Sequence, residues 1–490
     1  MNRPLRIAFV TSEIVPYSKT GGLADVSAAL PQALAEQGHE VLIFTPRYKS
    51  IDIKREKLKQ VAAVTGEAIR IGSHQLKFDL LTNGARQAPV YFVDCPKLYE
   101  REALYVDPAT GLDYPDNDIR FIFFCRAVLR SLELLEFTPD IIHAHDWQAA
   151  LIPVFLKAEP CKFFEATRSM LTIHNLGYHG MFPAKNAVHL NLPDALFRAM
   201  GPLEFWGKIN FLKGGLHFAD VLTTVSETYA QEIQTTDEFG CGLEGVLRDN
   251  REKLHGVVNG VDYSIWSPEA DPLIAHNYSL ATLAEKALNK RQLMKLAGLS
   301  AADLKRPLIG VISRLADQKG FDLIAEITAD LFAEDISFVL LGTGDEKYHQ
   351  LFTALERNYP DKIKAFLAFD NKLAHQIEAG ADMFLMPSHY EPCGLNQLYS
   401  LRYGTVPIAR KTGGLADTIV DYDADRRKST GFLFAEYQPE ALLQTVRRAL
   451  AAYRNKRSWT ALVKRGMKQN FSWDKSAQRY ISLYQQMLAD

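Results

Sequence analysis

Leu5-Arg6-Ile7-Ala8-Phe9-Val10, followed nine residues on by Lys19-Thr20-Gly21-Gly22-Leu23-Ala24-Asp25, decides the class of fold. The first run is apolar at nearly every position, as a strand covered on both faces must be. The second places paired glycines just ahead of a helical pattern that begins near Leu23. Strand, glycine loop and helix in that order make the opening unit of a parallel α/β sheet. The same alternation continues outward. Strands are expected at Ile7–Val10, Val41–Phe44, Val90–Val93, Ile141–Ala144, Met170–Ile173, Val221–Val225 and Leu254–Val258, and then at Leu308–Ile312, Phe338–Leu341, Lys364–Ala368, Met383–Met386 and Val406–Ala409. Each half carries enough strands for its own doubly wound sheet. Between the halves, Asn259-Gly260-Val261-Asp262, Ser267-Pro268 and Asp271-Pro272 form a turn-rich stretch that reads as a hinge. The expected division is a first domain over 1–258, a second over 259–470 and a terminal helix over 471–490. In that helix Tyr480, Tyr484 and Leu488 recur every fourth residue, so it has a stripe to bury, either by closing the second domain or by packing back on the first.

Composition narrows the class. In 490 residues, 56 Lys+Arg against 58 Asp+Glu leave a net charge of −2, which argues against a nucleic-acid carrier. With 47% hydrophobic and 23% charged residues the chain is an ordinary globular one, and no apolar run is long enough to span a membrane. Met1-Asn2-Arg3-Pro4 leads straight into the first strand, which predicts no signal or transit segment. Five scattered cysteines, Cys95, Cys125, Cys161, Cys241 and Cys393, show no zinc spacing and fit a reducing cytoplasm.

The glycine loop occurs twice. Lys19–Asp25 reappears residue for residue as Lys411–Asp417, again between a strand and a helix. In the first copy the glycines permit close backbone approach, the helix start offers free N–H groups, and Lys19 adds a full charge, so the loop can cradle an anion. It is neither G-x-G-x-x-G nor G-x-x-x-x-G-K-[ST], so no dinucleotide or P-loop triphosphate site is indicated. The second copy either does a different job or repeats a loop geometry. Past the first strand of the second half, Arg314 and Lys319 flank a short loop and can converge on one phosphate. His143 and His145 share a strand face without a third ligand, so His143 reads as a core histidine and no metal is expected. Asp421, Asp423 and Asp425 beside Arg426-Arg427-Lys428 read as a solvated charge cluster. Pro387–Gln397 leaves a strand and turns into a helix with Glu391 beside the helix start. Cys393 there has no base assigned to it, and reads as a packed or ligand-lining thiol.

Together these segments resemble the bacterial glycogen synthase and plant starch synthase family. The matches are KTGGLADV at Lys19–Val26, HAHDW at His143–Trp147, TIHN at Thr172–Asn175, VNGVD at Val258–Asp262, SRLxxQKG at Ser313–Gly320 and PSxxEPCGLNQ at Pro387–Gln397, in the family's order across nearly the whole chain. The resemblance implies two Rossmann-like domains of the GT-B fold facing a deep cleft. The implied activity is transfer of glucose from a nucleotide-diphosphate glucose to the non-reducing end of an α-1,4-glucan with retained anomeric configuration. ADP-glucose is the donor the bacterial and plastid branch implies, although no residue singled out here reads the base, so UDP-glucose stays open. Carried over by motif, His174, Glu391, Arg314, Lys319 and Asp146 are the catalytic set. Lys19, Gly21, Gly22, Asp25, Tyr105, Trp147, Asn175, Asn259, Gln318, Cys393, Gly394 and Leu395 are the substrate-binding set. No cofactor and no metal are implied. The partners implied are ADP-glucose and glycogen or a maltooligosaccharide, with no nucleic acid and no membrane. Related retaining enzymes often carry a second acid eight residues after the first, and Tyr399 stands there instead.

The physical reading agrees. A departing diphosphate is a developing anion, and Arg314, Lys319 and Lys19 are cations suited to stabilise it without Mg²⁺. The acceptor hydroxyl is expected on the face the diphosphate leaves, with Glu391 as a transient covalent partner the alternative. Domain closure would keep water from the donor. Other readings of the same residues are a sucrose-forming sister enzyme, a phosphorylase-like enzyme holding pyridoxal phosphate, and a non-catalytic glucan-binding protein.

Overall fold

The computed structural model describes residues 3–300 and 304–489, and the chain divides into two compact units. The first holds the chain up to Val225, Ala230–Gly260 and the segment from Trp473 onward; the second holds Ser226–Tyr229 and Val261–Ser472.

The first unit is built on a ten-stranded sheet. Its parallel part runs, neighbour to neighbour, Val90–Asp94, Glu40–Pro46, Arg6–Val10, Ile141–His145, Arg168–Ile173, Val221–Thr224 and Leu254–Gly256. Counted in chain order this is 3-2-1-4-5-6-7, so the direction of winding reverses between the first and fourth strands. Ile7–Val10 are fully buried, as the unbroken apolar run requires. Beyond Val90–Asp94 the sheet continues antiparallel through His74–Thr82, which pairs with both Glu67–Ile71 and Lys59–Gln60. A separate three-stranded sheet, Glu204–Phe205, Lys208–Asn210 and Met181–Pro183, lies off the main one. None of these antiparallel strands was expected, because their residues mix polar and apolar at sheet edges without a clean period.

The second unit has six parallel strands in the order Ile363–Phe366, Ser337–Leu341, Leu308–Ile312, Met383–Met386, Val406–Arg410 and Phe432–Phe434, which is 3-2-1-4-5-6. Its third strand lies at Ile363–Phe366 rather than over 364–368, and the three-residue sixth strand escaped notice because it is so short. Alternate residues of Leu308–Ile312 serve opposite faces. Ile309 and Val311 join Phe321, Ile324, Leu442 and Val446, while Leu308 joins Leu293, Leu373 and Ile377. The architecture is the expected pair of doubly wound α/β domains.

The terminal helix runs Trp473–Ala489 and packs against the helix Leu23–Glu36 within the first unit, with Tyr480 and Tyr484 fully buried. Among the described residues no helix is long and apolar enough to cross a membrane.

Candidate active site

In each unit charged residues singled out from the sequence follow strands one and four, Lys19 and Asp146 in the first and Arg314, Lys319 and Glu391 in the second, while His174 and Asn175 follow strand five of the first. At strands one and four the connections leave on opposite faces of the sheet and open a crevice at the carboxyl ends.

In the first unit, the loop after Arg6–Val10 carries Lys19, Gly21 and Gly22. Lys19 is exposed and its ammonium lies 2.7 and 2.8 Å from the two oxygens of Asp25. Burial raises the Asp25 carboxyl from its ordinary value, and the Lys19 charge partly offsets that. An added side chain at Gly21 would meet nothing within 4 Å, so the loop faces open space. The loop is anchored from below by Glu13, which is 4% exposed. Its carboxylate accepts from Thr20 N at 2.5 Å, Thr20 Oγ1 at 2.6 Å and Gly21 N at 3.2 Å. Tyr105 donates to the same carboxylate, its hydroxyl lying 2.8 Å from Glu13 Oε1 and 2.8 Å from Ser12 Oγ. Burial, and then the Glu13 charge, hold the Tyr105 phenol well above its usual range, so it stays protonated.

After Ile141–His145, Asp146 sits in the left-handed region with φ 55° and receives the His174 backbone N–H at 2.6 Å. Burial pushes its carboxyl up to about 7, although the backbone N–H groups of His174 and Asn175 pull the other way. His174 Nε2 is 3.0 Å from His145 Nδ1, and burial lowers the His174 imidazole to about 3, so its ring is neutral at ordinary pH. No hydrogen bond to its Nδ1 is found among the described residues. Asn175 turns back on itself, accepting from Gly177 N at 3.0 Å. Trp147 is buried against Phe121, Phe182 and Phe211, so its ring braces the crevice wall. Asn259 is 6% exposed, and its Oδ1 is buried with no partner among the described residues.

His143 is the core histidine the sequence suggested. Its Nδ1 is 2.8 Å from the Tyr484 hydroxyl and its Nε2 is 2.6 Å from Thr172 Oγ1. His145 lies between it and His174, its ring tilted against His143 at 4.1 Å and against Phe9 at 4.0 Å.

In the second unit, Arg314 follows Leu308–Ile312 and is exposed; its carbonyl accepts from Ser313 Oγ at 3.0 Å, and its guanidinium has no hydrogen-bond or ion-pair partner among the described residues. Lys319 reaches Glu391, which follows Met383–Met386, at 2.6 Å; Ser388 Oγ donates to the same carboxylate oxygen at 3.0 Å. An ammonium has three N–H groups, so the bond to Glu391 leaves two for a ligand. Gln318 ties the two loops together, accepting from His389 N at 2.8 Å and donating to Tyr390 O at 3.2 Å. The helix after Glu391 begins only at Asn396, so the charge partner of Glu391 is Lys319 and not the helix start, a correction to the sequence reading. Cys393 is buried, Leu395 packs against Val261, Leu398 and Tyr399, and Gly394 takes the left-handed turn, φ 70°, that leads into the helix.

The acidic run is paired internally. Arg448 lies 2.6 Å from Asp423 and 3.4 Å from Asp421. Among the described residues no group of three or more His, Cys, Asp or Glu is placed to hold a metal ion.

Glu13 is the residue that sequence reasoning passed over, and the contact of His145 with His174 was not foreseen. A lone acid in Thr11-Ser12-Glu13-Ile14 carries no local pattern, and only the fold brings it beneath a loop six residues on.

Comparison with known proteins bears on the whole chain. Residues 6–249 match the family described as the starch synthase catalytic domain, and residues 299–464 match the glycosyl transferases group 1. The chain is 48% identical to a glycogen synthase of Koribacter versatilis over 98% of both chains. It is 46% identical to one of Geotalea uraniireducens over 99% of both. The catalytic domain of starch synthase IV from Arabidopsis thaliana, solved with ADP and acarbose, superposes with a TM-score of 0.91 at 33% identity over 100% of both chains. A sucrose-phosphate synthase of Thermosynechococcus elongatus shares the fold at 17% identity and a TM-score of 0.59. With two 3-2-1-4-5-6 sheets, each bearing its charged residues at the winding reversal, and near-half identity along its full length, this chain belongs to the glycogen synthase and starch synthase family and is a retaining glucosyltransferase of glucan synthesis.

Proposed function

We propose that the chain transfers the glucosyl group of ADP-glucose to the 4-hydroxyl at the non-reducing end of glycogen or a maltooligosaccharide. The observation that carries this reading is the placement of cations at the winding reversals: Lys19 past strand one of the first unit, Arg314 and Lys319 past strand one of the second. Arg314, with its whole guanidinium unengaged, and Lys319, with two free N–H groups, suit a diphosphate as fork and point charge. Lys19 is a third cation suited to the donor. The ADP in the Arabidopsis relative supports the choice of nucleotide.

His174 and Asn175 are placed at the transferred glucose. A neutral His174 can share a hydrogen bond with a sugar hydroxyl but cannot act as an imidazolium acid near pH 7, so acid assistance to the leaving group falls to the cations around the diphosphate. As the C1–O bond to phosphate breaks, that oxygen gains charge, and it can take the proton of the attacking 4-hydroxyl on the same face, which retains the configuration. Glu391, held by Lys319 and Ser388, then faces the cationic sugar as an electrostatic partner. Tyr105, Trp147 and Asp146 belong to the sugar and acceptor side, and Gly21, Gly22, Asp25, Asn259, Gln318, Cys393, Gly394 and Leu395 complete the binding surface. No metal is assigned a role, because three cations are suited to the donor. All five cysteines are free, which fits a cytoplasmic setting.

The test is transfer of labelled glucose to glycogen from ADP- and UDP-glucose, with and without excess EDTA. Incorporation from ADP-glucose that persists in EDTA is expected. Incorporation only from UDP-glucose would overturn the donor, and loss in EDTA restored by Mg²⁺ would overturn the metal-free scheme.

A further inference from the structure

Glu13 is nearly inaccessible, has no ion-pair partner among the described residues, and is met by four donors. Thr20 Oγ1 and the Tyr105 hydroxyl converge on Oε1 at 2.6 and 2.8 Å, while the N–H groups of Thr20 and Gly21 converge on Oε2 at 2.5 and 3.2 Å. Four donors need four acceptor lone pairs, which a carboxylate supplies and a carboxamide does not, since its NH₂ end is itself a donor. The two groups joined in this way come from distant parts of the chain. One is the loop bearing Lys19 and Gly21; the other is Tyr105, some ninety residues later, in a stretch with little regular structure of its own. Ser12 Oγ and Asn117 Nδ2, the latter donating to Tyr105 O at 3.0 Å, fix the tyrosine from its other sides. On the Lys19 loop, Gly21 has open space above it, and the exposed Lys19 head is held by Asp25 at 2.7 and 2.8 Å.

We propose that Glu13 is a positioning residue that locks the donor-side loop Lys19–Gly22 to the acceptor-side Tyr105, so that occupancy of one side is felt at the other. The proposal rests on the assignment of Lys19 to the donor and Tyr105 to the sugar or acceptor. In this arrangement a defect introduced at Tyr105 weakens donor binding although Tyr105 does not contact the diphosphate, and a defect at Thr20 weakens use of the acceptor.

The experiment is steady-state kinetics of the full chain with ADP-glucose and glycogen for Glu13→Gln, Thr20→Val, Thr20→Ser, Tyr105→Phe and the double variant Thr20→Val/Tyr105→Phe. Glu13→Gln is expected to lower kcat/KM for both substrates by at least about tenfold, since loss of the anchor misplaces both groups. Tyr105→Phe is expected to raise the KM for ADP-glucose by about threefold or more, the worth of one hydrogen bond, and Thr20→Val to do the same for glycogen. Thr20→Ser, which keeps the hydroxyl, is expected to restore parental KM values. The double variant is expected to fall short of the product of the two single effects, because both lose the same carboxylate as intermediary. The proposal is overturned if Tyr105→Phe alters only the glycogen KM, Thr20→Val alters only the ADP-glucose KM, and the double variant multiplies the two. Should Glu13→Gln fail to fold, the Thr20 and Tyr105 variants decide the matter by themselves. Absence of any transfer from ADP-glucose by the parent enzyme would instead sink the functional assignment, a result distinct from parental activity with uncoupled variants.

Discussion

Lys19–Asp25 and Lys411–Asp417 are the same seven residues, yet the fold uses them in opposite ways. The first copy follows strand one of its sheet, at the winding reversal; the second follows strand five, away from it. In the first copy Lys19, Thr20 and Gly22 are exposed and Gly21 faces open space, while Glu13 beneath consumes the loop's inward N–H groups. In the second copy Thr412, Gly413 and Gly414 are all buried. A side-chain carbon on Gly413 would lie 2.0 Å from Glu391 O, and one on Gly414 would lie 2.1 Å from Cys393 O. Gly414 N donates to Glu391 O at 3.1 Å, and Asp417 accepts from the N–H and hydroxyl of Thr228. The glycines of the first copy leave room for something to approach. Those of the second are already occupied, by the backbone that carries Glu391. A motif therefore states a local geometry, and its position in the sheet decides whether that geometry meets a ligand or the protein itself.

The largest difference is expected in catalysis. Lys19→Ala removes a cation proposed for the diphosphate and should lower kcat/KM for ADP-glucose by about 10²-fold, whereas Lys411→Ala should leave it within about twofold. Equal losses in steady-state assays of the two variants would erase the contrast. Next comes stability. Gly414→Ala forces a methyl group into the Cys393 carbonyl and should cost about 1–3 kcal/mol in denaturant unfolding, with activity falling because Glu391 shifts. Gly21→Ala should stay within about 0.5 kcal/mol of the parent while raising the KM for ADP-glucose. A smaller effect is expected from Asp417→Ala, about 1 kcal/mol through loss of the bonds from Thr228, readable as a lowered denaturation midpoint.

The residues past strand four sharpen the same contrast between units. Glu391 is met by Lys319 at 2.6 Å, whereas Asp146 is met by backbone N–H groups and has no ion-pair partner among the described residues, and burial raises its carboxyl to about 7. Because the folded value lies above the unfolded one, near 4, the folded state holds the proton more tightly. The stability this contributes is complete below about pH 4 and is lost as pH rises through about 7. Asp146→Asn should therefore gain in Tm relative to the parent as the pH is raised from 4 to 8. A difference in Tm that does not change over that range would mean that Asp146 is not held out of water.

Much of this was legible beforehand, for identifiable reasons. Buried parallel strands such as Ile7–Val10 are unbroken apolar runs, and the residues past their ends are forced to the carboxyl edge of the sheet, so Lys19, Arg314, Lys319, Asp146, His174 and Glu391 could be placed at crevices before any coordinates. Edge strands such as Glu67–Ile71 half-expose their residues and show no such run. The partnership of Glu391 with Lys319 was hidden because it joins loops 72 residues apart. Glu13 was hidden for the opposite reason: it lies next to a recognised motif, but its importance comes from the number of donors that converge on it, and no pattern in one strand of text encodes convergence. The two copies of the heptapeptide were visible as a repeat, but their different uses were not, since the carbonyls that crowd Gly413 and Gly414 come from a loop some twenty residues upstream.

The hydroxyl of Tyr484 beside His143 carries a consequence for how the enzyme comes into being. The pile of rings that ends at His174 is completed by a helix made of the chain's final residues, Trp473–Ala489, which also covers the apolar side of Leu23–Glu36, among the earliest made. On the ribosome, the first-made half must therefore wait, with that flank bare, until Trp473–Ala489 has been made. A chain cut before Trp473 lacks the Tyr484 hydroxyl beside His143 and so is left with an unfinished histidine pile.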